Sequence, residues 1–457
     1  MGLVVTVILL LIPRISFGSE ALTIRELIDV VNQKFPPLEI AKKEEQIAEA
    51  DLRSSEGAFD IQWKTRFQYT PLSFYQNQRF DTLLEQPTTL WGATLFGGYR
   101  LGTGKFAIYD GKLETNPGGE LRLGFNLPLL RDGPIDRRRA NLQKSKWGVD
   151  VAKLQVSQQQ LETLRNATHR YWDWVVSGQR VFVFRKLLKI AEERDAALAE
   201  RVKQGDLPDF ERRDNERAIL QRRSLLISAE RTFQQMAIEL SLFFRGPAGE
   251  PILVGEERIP LELAEPQRTE VPEANFEKAM SRRPELARLL AAKAQNEIER
   301  DVAANSQMPK IDLQLQTVRS VRDGSITRDG TQLEAGVLVE IPLQANVAGG
   351  REDAAIITRS RLEVQERFLK DRIIADVRDA MSAVEASFLR YSVTQKEVEL
   401  AKKMEQGERV RFFQGESNLL FVNLREQTTA DAQIRELEAI GDYRKSIASL
   451  KAAIAEF

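Results

Sequence analysis

Four segments of this chain alternate apolar and polar residues with a period of two, and that pattern constrains the fold more than any other feature. From Ile61 to Tyr69 the odd positions are Ile61, Trp63, Thr65, Phe67 and Tyr69, while Gln62, Lys64, Arg66 and Gln68 fill the even ones. From Glu120 to Leu127, Leu121, Leu123, Phe125 and Leu127 alternate with Glu120, Arg122, Gly124 and Asn126. The second half of the chain repeats the arrangement. There Ile311, Leu313, Leu315 and Thr317 stand against Asp312, Gln314 and Gln316, and Leu333, Ala335, Val337, Val339 and Ile341 stand against Gln332, Glu334 and Glu340. Side chains of a strand point alternately to opposite faces, so the pattern predicts strands over about 61–70, 119–127, 310–319 and 331–341.

Segments of about nine or ten residues match a tilted membrane-spanning β-strand with lipid on one face and a wet lumen on the other. A soluble sheet with one face on a core shows the same alternation. Four strands cannot close a barrel in lipid, because the smallest membrane barrels use about eight and an open edge leaves backbone groups unpaired. The barrel is therefore expected to be shared between copies of the chain, and strand counting alone allows a dimer with eight strands or a trimer with twelve. Trp91, Ala93, Leu95, Tyr99 and Leu101 also alternate. Each half needs an even number of spans to begin and end on one side of the membrane, so this stretch is assigned to an extended external loop or strand extension. The whole insertion from Thr70 to Gly119 then reads as a long extracellular loop.

Two stretches, from about Arg137 to Gln204 and from about Arg351 to Gln414, contain no proline. At 1.5 Å per residue, about 65 residues make a helical rod of roughly 100 Å. Apolar positions keep a seven-residue rhythm at Leu161, Leu164, Thr168, Tyr171 and Val175, and at Val377, Met381, Val384, Phe388 and Tyr391, which predicts coiled-coil packing. Each rod ends at a glycine, Gly205 or Gly415, suited to a left-handed cap, and helical sequence resumes at once. Breaks this short imply antiparallel hairpins with tips at 205–209 and 415–418.

The order of elements recurs. Pro37-Leu38 opens an Ala/Glu-rich helix running to about Glu56, and Pro284-Glu285-Leu286 opens another running to about Asn305. Strands follow in each case, ending at Leu127-Pro128-Leu129 or Ile341-Pro342-Leu343 with glycine close behind. The chain thus reads as a first repeat (19–244), a connector (245–272) rich in Gly and Pro, and a second repeat (273–457). Ahead of them, the apolar run Leu3–Ile12 followed by small residues reads as a signal peptide over 1–18, too short to anchor in a bilayer.

Composition narrows the function classes. With 66 basic and 67 acidic residues the net charge is -1, so no bulk field favours nucleic acid. The chain has no cysteine and a single histidine, His169, in a helical stretch, and it has no phosphate-binding loop, nucleophile elbow or paired-His metal motif. Neither an enzyme site nor a cofactor or metal site is expected.

The doubled order of short helix, two strands, Leu-Pro-Leu or Ile-Pro-Leu junction, long helix, glycine-turned tip and returning helix resembles the TolC-type outer-membrane efflux proteins, over nearly the whole chain. The resemblance implies a mainly α protein with membrane β structure, in which a homotrimer joins four strands per chain into a twelve-stranded outer-membrane barrel above a long periplasmic α-barrel. It implies a passive export conduit for small molecules or proteins, working in a tripartite efflux or type I secretion system with a periplasmic adaptor (membrane fusion protein) and an inner-membrane pump. The periplasmic entrance and adaptor-docking tips would map to Gln204, Gly205, Asp206, Leu207 and Asp209, and to Gly415, Glu416, Ser417 and Asn418. Where family tips commonly read Val-Gly-Leu, this chain has Gln204-Gly205-Asp206 and Gln414-Gly415-Glu416, so adaptor contact is expected to be more polar. Aspartates that some members carry beyond the second tip are replaced here by Leu420, Phe421, Val422, Asn423 and Leu424. An acidic ring would have to come from Asp206, Asp209, Glu211 or Glu416. Phe421 and Leu424 are candidates for an apolar constriction or for heptad core, and Trp63 and Tyr69 for an interfacial aromatic girdle or ordinary sheet packing. The competing expectation is a periplasmic coiled-coil adaptor or scaffold whose strands form a small sandwich.

Overall fold

The computed structural model describes residues 20–107, 114–206, 208–270, 272–322, 324 and 329–457. The segment read from the sequence as a signal peptide (1–18) and Leu207 lie outside the described residues. In chain order the elements are helices α1 (Ile24–Lys34) and α2 (Pro36–Glu56), strands β1 (Gln62–Thr70), β2 (Asn77–Pro87), β3 (Thr94–Gly104) and β4 (Glu120–Pro128), then helices α3 (Arg137–Lys203), α4 (Asp209–Ser241), α5 (Ala274–Arg282) and α6 (Pro284–Asn305). Strands β5 (Lys310–Ser320) and β6 (Thr331–Glu340) and helices α7 (Asn346–Phe413) and α8 (Leu419–Ala453) complete the chain. These fall into two compact units, and α3 and α7 contribute residues to both.

The first unit takes the chain up to Leu38 with Gln160–Ser281 and Ala375–Phe457. Its core gathers Leu27 and Val31 of α1, Leu164, Tyr171 and Trp174 of α3, Leu240 of α4 and, from the connector, Val254 and Ile259. Burying each such aliphatic side chain stabilises the fold by about 1.5–3 kcal/mol relative to leaving it in water. Rich in Pro and Gly, the segment 245–272 forms no α-helix among the described residues beyond one 3-10 turn at Glu256–Arg258, and its backbone is still used: Arg245 bridges Pro251, and the Arg258 carbonyl accepts from Leu22 N–H at 2.8 Å. On α7 the buried positions Val377, Val384, Tyr391 and Val398 recur every seven residues, as coiled-coil packing requires. Of the rhythm read in the sequence on both long helices, Leu161, Met381 and Phe388 are only partly covered.

The second unit, Glu39–Gln159 with Arg282–Ile374, holds the sheet. Here the expectation of four strands per chain needs correction, because one sheet of six antiparallel strands is present in the order β1-β2-β3-β4-β5-β6. The insertion assigned to an external loop contains the β2–β3 hairpin, and Trp91 sits in its turn. Thr88 N–H donates to the Ala93 carbonyl at 2.8 Å across that turn, and both Trp91 and Gly92 have positive φ. The turn lies at the sheet end where β1 begins and β4 finishes, with the Trp91 ring so close to Gly133 that a Cβ there would meet its Nε1 at 2.7 Å. Parity argued against one extra strand, but two extra strands preserve it. The partner strand β2 was hidden because Leu83 falls on the charged face and Gln78 and Gln86 on the apolar one, which breaks its alternation.

Candidate functional site

Residue-by-residue register sorts the sheet into two faces. One carries Trp63, Phe67, Phe80, Leu84, Leu95, Tyr99, Leu121, Leu123, Leu315, Leu333 and Val337, continuous across all six strands. It is uncovered by the chain itself: Trp63 is 76% exposed, Phe67 65%, Leu123 64% and Leu333 73%. Near its middle the polar atoms pair within the face, Trp63 Nε1 donating to Thr82 Oγ1 at 2.6 Å and Thr65 Oγ1 lying 3.0 Å from the same oxygen, while Gln78, Thr331 and the exposed Arg319 fall at the ends of their strands. The opposite face carries Lys64, Arg66, Arg79, Arg100, Arg122 and Lys310 against Asp81, Glu85, Glu120, Asp312, Glu334 and Glu340, equal numbers of each sign. Lys64 pairs with Glu85 at 2.5 Å, Arg100 with Glu120, and Arg122, opposite Gly98, reaches over β3 to Asp81. Among the described residues the outer strands β1 and β6 each have one neighbouring strand, so each presents an open edge.

The hairpin tips are built alike. Gly205 N–H donates to the Val202 carbonyl at 3.1 Å and Asp206 N–H to the Arg201 carbonyl at 2.9 Å; Gly415 to Phe412 and Glu416 to Arg411 repeat both distances. This is a Schellman cap, which needs a left-handed residue, and the glycines supply φ of 82° and 79°. Asn418 then caps α8, its side chain accepting from Phe421 N–H at 3.2 Å. Gln204, Asp206, Asp209, Glu416 and Asn418 are exposed, and Ser417 is half-buried with its hydroxyl on Glu408. Asp209 is paired with Arg213 at 2.7 Å and Glu211 is half-buried. Phe421 (49%) and Leu424 (55%) are exposed, whereas Leu419 and Val422 take the core positions, so heptad packing within the chain does not use the first pair.

Just behind the tips is a cluster that reading the sequence missed. Glu426 of α8, 1% exposed, accepts from Arg194 of α3, from Arg222 of α4 at 2.9 Å and from Arg409 of α7 at 3.0 Å. Asn423 Oδ1 accepts from Arg194 at 2.8 Å and from Arg222 at 3.2 Å. Burial pushes the Arg222 pKa down from its usual value, and the adjacent Glu426 carboxylate opposes the shift. One carboxylate thus ties all four long helices together. The signal was in the sequence: Leu419, Val422, Glu426 and Thr429 follow heptad spacing, with a charge in a core position. His169 Nε2, 3.1 Å from the Lys445 carbonyl and 3.0 Å from Ser449 Oγ, is a packing residue between α3 and α8. Among the described residues no cluster of His, Cys, Asp and Glu is arranged to hold a metal, and no helix is long and apolar enough to cross a membrane.

No protein-family model and no curated protein matches the sequence. Solved structures do match. The chain is similar to the open-state MtrE outer membrane channel of Neisseria gonorrhoeae, with a TM-score of 0.68 at 16% identity over 95% of this chain and 89% of that one. The Campylobacter jejuni CmeC outer membrane channel gives 0.67 at 14% identity over 94% and 85%. VceC, an outer membrane protein of Vibrio cholerae, gives 0.64 at 13% identity over 95% and 96%. The fold is that of the TolC-type outer-membrane channels. At these identities the likeness extends to the backbone arrangement, and the chemistry of the tips and of the sheet faces is this chain's own.

Proposed function

We propose that this chain is one protomer of a homotrimeric outer-membrane channel, a passive conduit for export of small molecules or proteins from periplasm to exterior. The observation that carries the proposal is the six-stranded sheet with one continuous, uncovered apolar face, a charged opposite face and two open edges. Hydrocarbon on the first face removes the cost of exposing it to water, and pairing of β6 with β1 of the next copy satisfies the edge backbone groups that lipid cannot. The charged face then lines a water-filled lumen.

The helical unit offers matching support. On α7, Leu389, Val393, Leu400 and Met404 are exposed at i, i+4, i+11 and i+15, and on α4 Leu220 and Ile227 are exposed seven residues apart. Stripes at this spacing suit coiled-coil contacts between copies. The polar tips Gln204–Asp206 and Gly415–Asn418 would form the periplasmic entrance and meet an adaptor, which an inner-membrane pump would accompany. Phe421 and Leu424 are free to meet copies of themselves at a constriction, and Asp206, Asp209 and Glu416 to set the field there.

Fractionation of cells tests the reading, with heat-modifiable, detergent-stable trimers in the outer membrane and pore currents in planar bilayers as the expected result. Changing Asp206 and Glu416 to Asn and Gln should alter those currents if the acids guard the entrance. Recovery of the mature protein as a soluble monomer would instead favour a periplasmic scaffold.

A further inference from the structure

Resting on the channel reading, we propose that the β2–β3 hairpin is itself embedded in the membrane, so that each copy contributes six strands and the trimer closes an 18-stranded, widened barrel. Three observations carry this beyond the general architecture. First, β2 and β3 are 11 residues each, against 9 for β1 and for β4, and they are paired along their length between them. Nothing in that ladder marks the hairpin as an appendage lying outside the bilayer.

Second, the hairpin carries both faces through without interruption. Phe80, Leu84, Leu95 and Tyr99 continue the apolar face between Phe67 and Leu121, and Asp81, Glu85 and Arg100 continue the charged one. Its charges are paired outward in both directions, Glu85 to Lys64 of β1 and Asp81 and Arg100 to Arg122 and Glu120 of β4. A hairpin lying outside the membrane has no reason to keep carboxylates and guanidinium groups off one side.

Third, the polar groups in the middle of the hairpin's apolar face, Thr82 and Tyr99, are satisfied within the chain, as hydrocarbon demands, while Gln78, Gln86 and Thr103 stand at the strand ends. Thr82 Oγ1 meets Trp63 Nε1 and Thr65 Oγ1, and Tyr99 O–H donates to the Gly118 carbonyl at 2.9 Å. The β2–β3 turn returns to the end of the sheet from which the helices leave, so the hairpin crosses the same layer as its neighbours and keeps the parity of spans.

The consequence is a wider outer pore. With strands about 4.8 Å apart and tilted about 40°, 12 strands enclose a backbone diameter of about 24 Å and 18 strands about 36 Å. Cross-section therefore roughly doubles. Equal numbers of basic and acidic groups on the lumen face leave it without a net sign, which suits bulky cargo of either charge better than selection between ions.

The chain has no cysteine, so single cysteines report cleanly on each face. Leu84→Cys and Leu83→Cys are neighbours on opposite faces of β2, with Phe67→Cys and Gln68→Cys as the corresponding pair on β1. In outer-membrane vesicles a membrane-impermeant maleimide should label the 83 and 68 variants at least about tenfold faster than the 84 and 67 variants. Alternation on β1 with equal labelling at 83 and 84 would overturn this inference while leaving the channel standing; loss of alternation on both strands, or recovery in the soluble fraction, would overturn both. Electron microscopy of the purified trimer should count 18 strands, and a count of 12 would overturn the inference directly.

Discussion

The two units of this protein use the same apolar residue types in opposite ways. In the helical unit Trp174 is fully buried, packed against Tyr171 and Phe233, and in the sheet unit Trp63 is 76% exposed with its neighbours Phe67 and Leu84. The helical unit closes a core of its own, whereas the sheet unit leaves its apolar face without covering atoms from the chain, and on the proposed reading lipid and further copies of the chain complete it. Apolar content is therefore no guide to what stabilises each half. What matters is whether the chain supplies the covering atoms.

Substitutions test that contrast. The largest effect is expected where the helical unit seals a charge: Glu426→Ala leaves Arg194, Arg222 and Arg409 without their shared partner and should cost about 3–5 kcal/mol in denaturant unfolding followed at the helical circular-dichroism band. In the same assay Trp174→Ala should cost a similar amount, about 3–5 kcal/mol, while Trp63→Ala should shift helical unfolding by less than about 0.5 kcal/mol. Equal losses from the two tryptophans would sink the contrast. Next comes the sheet, where Val337→Arg, mid-strand on the apolar face, should cost about 2–4 kcal/mol of membrane-inserted stability and Gln314→Arg on the charged face far less. The yield of heat-modifiable trimer from outer membranes measures both.

Smaller effects belong to the tips and to the lone histidine. Gly205→Ala and Gly415→Ala meet no atom within 4 Å, so their expected cost of about 1–2 kcal/mol arises from the left-handed backbone alone. Thermal melts of the two variants should agree closely. Burial lowers the His169 pKa from its ordinary 6.5, so the folded chain holds the ring neutral where the unfolded chain begins to protonate. Its contribution is present above 6.5 and is lost as pH falls from there through the lowered folded value. A small drop in melting temperature over that window, absent in His169→Gln, is the expected outcome.

Much of the fold was legible in residue order. Four strands were found by period-two alternation, because a sheet wet on one face and apolar on the other writes its geometry directly into the chain. The β2 strand was not, because Leu83 on the charged face and Gln78 and Gln86 on the apolar face blur the period. Without β2 its partner β3 looked like a lone strand that parity forbids. The tips were located from Gly205 and Gly415, whose left-handed caps follow from local chemistry. The Glu426 cluster was not, although a glutamate at a heptad core position marked it, since its three arginine partners lie 17, 204 and 232 residues away.

By itself the sequence determined what is local and periodic: long helices without proline, glycine-capped turns and alternating strands. Only the tertiary structure decided which strands join one sheet, which apolar residues stay uncovered and which charges share a buried site. The physical reason is range. Backbone preference and side-chain period act over a few residues, whereas register, covering and ion pairing depend on segments that meet only after the chain has folded.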